Sequence, residues 1–209
     1  MSCSVQAEAP SMLGAEVIPP VFDAVHQEVA ANSDIPMLLP TEIPEEALRE
    51  PEPGQEQPFF VSIDDVDVDR YEINLDAIPG CEGAGYCTFG ILAAERITQD
   101  TPSVDEQYAF MLDPEYQPIK RSEEPISEVA LLNGITGLFI PWVCGANCNT
   151  AKVFWEQEGI RYFIGIRGPV DRATVVAIAN SMIANQPAAS SPEAVVDDGP
   201  QEGTDEPER

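Results

Sequence analysis

The sequence predicts an α+β domain: a mostly antiparallel, meandering sheet covered by a C-terminal helix, with a short helix at the N-terminal end. Three observations carry this. Tyr71, Ile73 and Leu75 alternate with Arg70, Glu72 and Asn74, the period-2 pattern of a half-buried strand. Residues 151–155 and 161–166 flank a turn containing Glu158-Gly159, with Val153 and Trp155 on one face and Tyr162, Ile164 and Ile166 on one face. Behind Pro169 and Asp171, the residues Val175, Ile178, Ala179, Met182 and Ile183 fall at helical spacing and form one apolar stripe, which must be buried against the sheet.

Taken in order, residues 1–19 show no periodicity and read as a disordered tether. Pro20 suits a first helical position, and Val21, Val25 and Val29 recur every fourth residue beside Phe22, so a helix is expected over 20–31. The single histidine, His26, is expected on its surface. The prolines in residues 35–40 forbid helix and central strand, and the run is expected to pack as extended chain along a sheet edge. Residues 44–58 are a charged, proline-rich loop. Asp65, Asp67 and Asp69 share a parity, but the turn, glycine and distal bidentate acid of a calcium loop are absent. Further strands are expected at 86–94, 107–112 and 128–132. Asn133-Gly134 has the residues of a type I′ turn. Past Asn185, residues 186–209 are rich in Pro, Ala, Ser, Asp and Glu without an aromatic and read as a disordered acidic tail. One domain, 20–185, lies between the two ends.

The net charge of −27 repels phosphate backbones and anionic membrane surfaces, so nucleic acid is not an expected partner. No run of 18 apolar residues exists, so no transmembrane segment is expected. The chain as it begins carries no secretory apolar stretch, which argues for a cytoplasmic protein. Against this, Cys3 followed by a polar, proline-containing segment has the form of a lipoprotein junction without its signal peptide. Cys3 is therefore a candidate lipid anchor, with an ordinary N-terminal cysteine as the alternative.

Four of the five cysteines form two close pairs, Cys81 with Cys87 and Cys144 with Cys148. Local disulfides would each contribute about 2 kcal/mol by chain entropy, and cross-pairing over loops of about 60 residues about 4 kcal/mol. Proximity favours the local pattern, which is the expectation. A four-thiolate zinc site needs two to four residues between paired ligands; Cys144 and Cys148 meet this and Cys81 and Cys87 do not. A thioredoxin-like pair needs two intervening residues before a helix, and the Cys144 to Cys148 segment runs into a strand. Phosphate loops and nucleophile elbows are missing, a single histidine is present to serve as a general base, and among 37 acids no particular carboxylate pair stands out, so no catalytic residue, metal or cofactor is predicted.

Several segments carry a family likeness: Ile35-Pro36-Met37-Leu38-Leu39-Pro40 with Ile43-Pro44, Cys81 to Cys87, Leu132-Asn133-Gly134-Ile135-Thr136-Gly137, Cys144 to Cys148, Trp155 with Gly159 and Tyr162, and Ile178-Ala179-Asn180-Ser181. Over about residues 20–185 the chain resembles uncharacterised extracytoplasmic proteins of bacteria, cyanobacterial ones in particular. Its closing hairpin and helix are also similar to the ends of domains in envelope-stress regulators and lipoprotein-sorting folds. The resemblance implies export and no particular activity. The expected function is that of a disulfide-stabilised domain at the periplasm or cell surface, binding a protein, peptide or lipid-like ligand. The alternative is a small hydrolase or thiol-redox protein using carboxylates or the Cys144/Cys148 pair.

Overall fold

The structure is a computed structural model, and it describes residues 18–49, 54–113, 115–146 and 148–185. The expected N-terminal tether, all but its last two residues, the Cys3 anchor candidate and the acidic tail lie outside the described residues. The strands are β1 (Phe60–Asp67), β2 (Arg70–Asp76), β3 (Thr88–Arg96), β4 (Lys120–Arg121), β5 (Ser127–Ala130), β6 (Thr136–Ile140), β7 (Val143–Cys144), β8 (Thr150–Gln157) and β9 (Ile160–Arg167). The helices are α1 (Asp23–Asn32), α2 (Val104–Tyr108) and α3 (Arg172–Ala184). Seven strands form one antiparallel sheet in the order β1-β2-β3-β9-β8-β6-β5, and β4 and β7 form a separate two-stranded ladder. Two antiparallel runs, β1-β2-β3 and β5-β6-β8-β9, thus meet where β9 returns beside β3.

The inner face holds the main core. Ile73, Leu75, Leu92, Val153, Ile164 and Ile166 are fully buried there, and Trp155 stacks on its cross-strand partner Tyr162 with ring centroids 5.6 Å apart. α3 covers this face with Val175, Ile178, Ala179 and Met182, all at 0 % exposure. Asp171 caps the helix: its carboxylate accepts from the Thr174 N–H and hydroxyl, both at 2.8 Å, and these bonds hold its pKa below the usual carboxylate range. α1 adds Val25 and Val29, preceded by a 3-10 turn at Pro20–Phe22 whose Phe22 meets Phe59. His26 is exposed on α1. Each large side chain buried this way is worth about 1.5–3 kcal/mol.

The turn residues behave as their chemistry requires. Asn133 and Gly134 take φ values of +57° and +74°, and Ile135 donates to the Leu132 carbonyl at 3.2 Å, which closes the predicted type I′ reversal between β5 and β6. Glu158 and Gly159 also lie at positive φ between β8 and β9.

Three local expectations are corrected. β1 was not expected as a strand, yet it pairs with β2 along its length. Its acids are spent in the hairpin: Asp65 pairs with Arg70, Asp69 with Arg96 at 2.7 Å, and Asp67 accepts from the Asp69 N–H at 2.8 Å. Residues 107–112 are not a strand but the end of α2 and a 3-10 turn at Ala109–Leu112. The reason is a capping box: Ser103 Oγ accepts from the Glu106 N–H at 3.2 Å and Glu106 accepts from the Ser103 N–H at 2.9 Å, which starts a helix against the strand preference of the aromatics that follow. Finally, residues 35–40 cross the inner face rather than follow an edge. Leu38 N–H donates to the Tyr71 hydroxyl and the Tyr162 hydroxyl donates to the Pro36 carbonyl, both at 3.2 Å, so two core tyrosines satisfy backbone groups that no strand could. Burial pushes both phenols up, that of Tyr162 to about 12.

Candidate binding site on the outer sheet face

The opposite face of the β8–β9 hairpin is not fully polar. Phe154 and Phe163 are cross-strand partners with ring centroids 5.0 Å apart. An apolar pair on a second face needs a cover of its own. The connection from β3 to β5 supplies it: Val104, Tyr108, Met111 and Ile126 join Leu138, Ile140 and these two phenylalanines in a second, smaller core.

This cover is pinned at three points. At its start, Arg161 lies 4 % exposed, pairs with Glu95 at 3.3 Å and Glu156 at 3.0 Å, and donates to the Pro102 carbonyl at 2.8 Å. A guanidinium so deep is tolerated because four of its five N–H donors are bonded and two carboxylates balance its charge. In the middle, the Lys152 ammonium donates to the Tyr108 hydroxyl at 2.7 Å and lies 5.3 to 6.0 Å from the ring centroids of Tyr108, Phe163 and Phe154. Such cation–π contacts contribute about 0.5–2 kcal/mol. At the end, Arg121 of β4 pairs with Val143 of β7, and Ser122 N–H donates to the Trp142 carbonyl at 3.1 Å.

Three cavities open on this side among the described residues: one between the cover and the segment that follows β6, and two along the seam between cover and sheet. The largest, about 490 Å³, has an apolar lining of Met111, Tyr116, Ile126, Pro141 and Val143, with Arg121, Glu123 and Glu124 also contributing. Glu124 is committed to α3, accepting from the Arg172 N–H at 2.9 Å. Arg121 has no carboxylate within ion-pair distance among the described residues. A second cavity, about 290 Å³, lies between Ser103 and Trp155, and a third, about 250 Å³, lies between Glu72 and Lys152.

Both disulfides are local, as expected. Cys81 and Cys87 are bonded at 2.01 Å and Cys144 and Cys148 at 2.09 Å. The first closes the β2–β3 connection, where Arg167 donates to the Gly85 carbonyl and Arg49 to the Tyr86 carbonyl. Beneath it Asp76, 2 % exposed, accepts from the Thr88 and Ser62 hydroxyls at 2.7 Å each. The second joins Cys144, the residue after Val143 in β7, to Cys148 across the following turn. No cysteine lines any of the three cavities. Among the described residues no group of three His, Cys, Asp or Glu side chains is placed to hold a metal ion, and no helix is long and apolar enough to cross a membrane.

None of the cavity residues stood out in the sequence as site residues. The available signal was Phe154 and Phe163 at positions where a solvated face would be polar. Fold and site together define a disulfide-bearing α+β domain with two small cavities over its outer sheet face and a larger one beside them. Compared with protein-family models, curated proteins and solved structures, the chain matches none.

Proposed function

We propose that this is an extracytoplasmic, non-enzymatic binding domain of the bacterial envelope, and that it seats a lipid-like ligand with an apolar body and an acidic head in the largest cavity. The observation that carries this reading is the lining itself: an apolar wall of Met111, Tyr116, Ile126, Pro141 and Val143 beside one unpaired guanidinium, Arg121, in a protein whose net charge is −27. A cavity of about 490 Å³ has the size of small-molecule sites, which combine an apolar lining with a few polar groups that fix orientation. Two disulfides support an oxidising compartment, in keeping with the family likeness. The thiol-redox alternative lacks comparable support, because neither Cys144 nor Cys148 lines the cavity.

Titration with dodecanoate and with dodecyltrimethylammonium tests the assignment. The acidic surface favours the cationic amphiphile; in the cavity Glu124 is paired with Arg172, which leaves Glu123 and Arg121 as the charges of the lining, and Arg121 is the group that takes an acidic head. Dodecanoate is therefore expected to bind the tighter of the two, and Arg121→Ala to weaken it at least fivefold. Equal binding of both amphiphiles, or no loss in the variant, would overturn the reading.

A further inference from the structure

The third cavity is a different kind of site. Glu72, Ala93, Phe163 and Phe154 are successive cross-strand partners on β2, β3, β9 and β8, so they form one row across the outer face. Lys152 reaches this row from the side. Its partner across the ladder is Gly165, where a Cβ would lie 3.0 Å from Lys152 Cγ; the missing side chain is what lets the lysine stem lie flat and carry the ammonium over Phe163.

The two charged groups are left unpaired. Lys152 has three N–H donors, and its one hydrogen bond among the described residues goes to the Tyr108 hydroxyl. Glu72 is half-buried, accepts no hydrogen bond and forms no ion pair among the described residues, although Lys152 is close enough to act on it electrostatically. Between them the floor is the Ala93 methyl and the face of Phe163. Burial and the neighbouring Asp64 raise the Glu72 pKa, the expected state of a carboxylate without its own counter-ion. Arg70 and Glu95, also on the rim, are occupied by Asp65 and Arg161. A cation and an anion thus face one another across a small apolar floor without closing into a salt bridge.

We propose that this cleft binds a small zwitterion of the α-amino-acid class, its carboxylate on Lys152 and its ammonium on Glu72. A ligand carrying both charges within a few atoms fills both vacancies at once. One carrying a single charge fills one and leaves the other as it was. The volume of about 250 Å³ lies below the usual range of drug-sized sites, which limits the ligand to a small one. The site shares no charged residue with the Arg121 cavity, so it stands or falls independently of the function proposed above.

The test is calorimetric titration of the full chain with L-alanine and with its two halves, propionate and ethylamine. L-Alanine is expected to bind saturably in the millimolar range, and each half at least tenfold more weakly. Glu72→Gln, which keeps size and shape, and Lys152→Met are each expected to abolish saturation. Circular dichroism confirms that each variant is folded, and Glu72→Gln alone suffices should Lys152→Met unfold. No saturable binding of L-alanine, propionate binding as tightly as L-alanine, or full binding in Glu72→Gln would each overturn the proposal.

Discussion

Ile178→Ala tests the architecture most directly. Ile178 sits at the centre of the α3 stripe with 0 % exposure, between Val175 and Met182, which are equally buried. The substitution removes three carbons from the interior, and at about 0.8 kcal/mol per buried carbon the transfer loss is about 2.4 kcal/mol. α3 is held at its start by the Asp171 cap and by Arg172 N–H donating to Glu124 at 2.9 Å, and along its side by Asn180 accepting from the Leu132 N–H at 2.8 Å. It cannot slide to fill the void, and the cavity term brings the expected cost to about 3–4 kcal/mol. That is a large share of an ordinary domain's stability. Arg172→Ala is the contrast. It removes a half-exposed pair with Glu124 at 3.5 Å and a hydrogen bond to Ser127 at 3.1 Å, worth about 0–1 kcal/mol. Urea unfolding of both variants, read at constant m-value, separates them. Similar midpoints for the two would refute the placement of α3 as the cover of the inner face.

Three further outcomes follow from single contacts. Asp171→Ala should cost about 1 kcal/mol at neutral pH through the lost N-cap; because the folded-state pKa is depressed, the wild-type advantage should disappear as pH falls through and below the usual carboxylate range, measured as the difference in melting temperature against pH. Glu72 has the opposite sign: its folded pKa is raised by burial and by Asp64, with Asp65 adding to this and Arg70 and Lys152 opposing it, so the fold loses stability as pH rises past the unfolded value. Glu72→Gln should therefore match or exceed wild-type stability at neutral pH and lose that gain in acid, and a destabilised variant at pH 7 would contradict this. Protein exported by its native host should show Cys81, Cys87, Cys144 and Cys148 unmodified by alkylation before reduction, by mass spectrometry; labelling of all four would sink both the disulfide framework and the exported location, and replacing Cys81 and Cys87 by Ser should cost about 2 kcal/mol.

The sequence by itself determined the elements whose signal is local. The alternation of Tyr71, Ile73 and Leu75, the stripe from Val175 to Ile183, the Asn133-Gly134 reversal and the two close cysteine pairs each follow from the chemistry of a few neighbouring residues, and each stands where that chemistry puts it. The Ser103 and Glu106 capping box was equally local and was legible, but the aromatics after it masked it. What only the tertiary structure decided is which faces meet. β9 lies beside β3 because burying Tyr162, Ile164 and Ile166 needs a neighbour on that side, and nothing within either strand names the partner. Residues 35–40 cross the inner face because the Tyr71 and Tyr162 hydroxyls, far away in sequence, satisfy the backbone there. The candidate sites belong wholly to this second kind. Glu72 reads in sequence as a residue on the polar side of an alternating strand, and neither Lys152 nor Arg121 carries a sequence signal. Lys152 becomes a candidate only when Tyr108, Phe154 and Phe163 close round it, because the free energy of an unpaired charge depends on what removes water from it, and Arg121 only when the fold sets it at the rim of an apolar cavity.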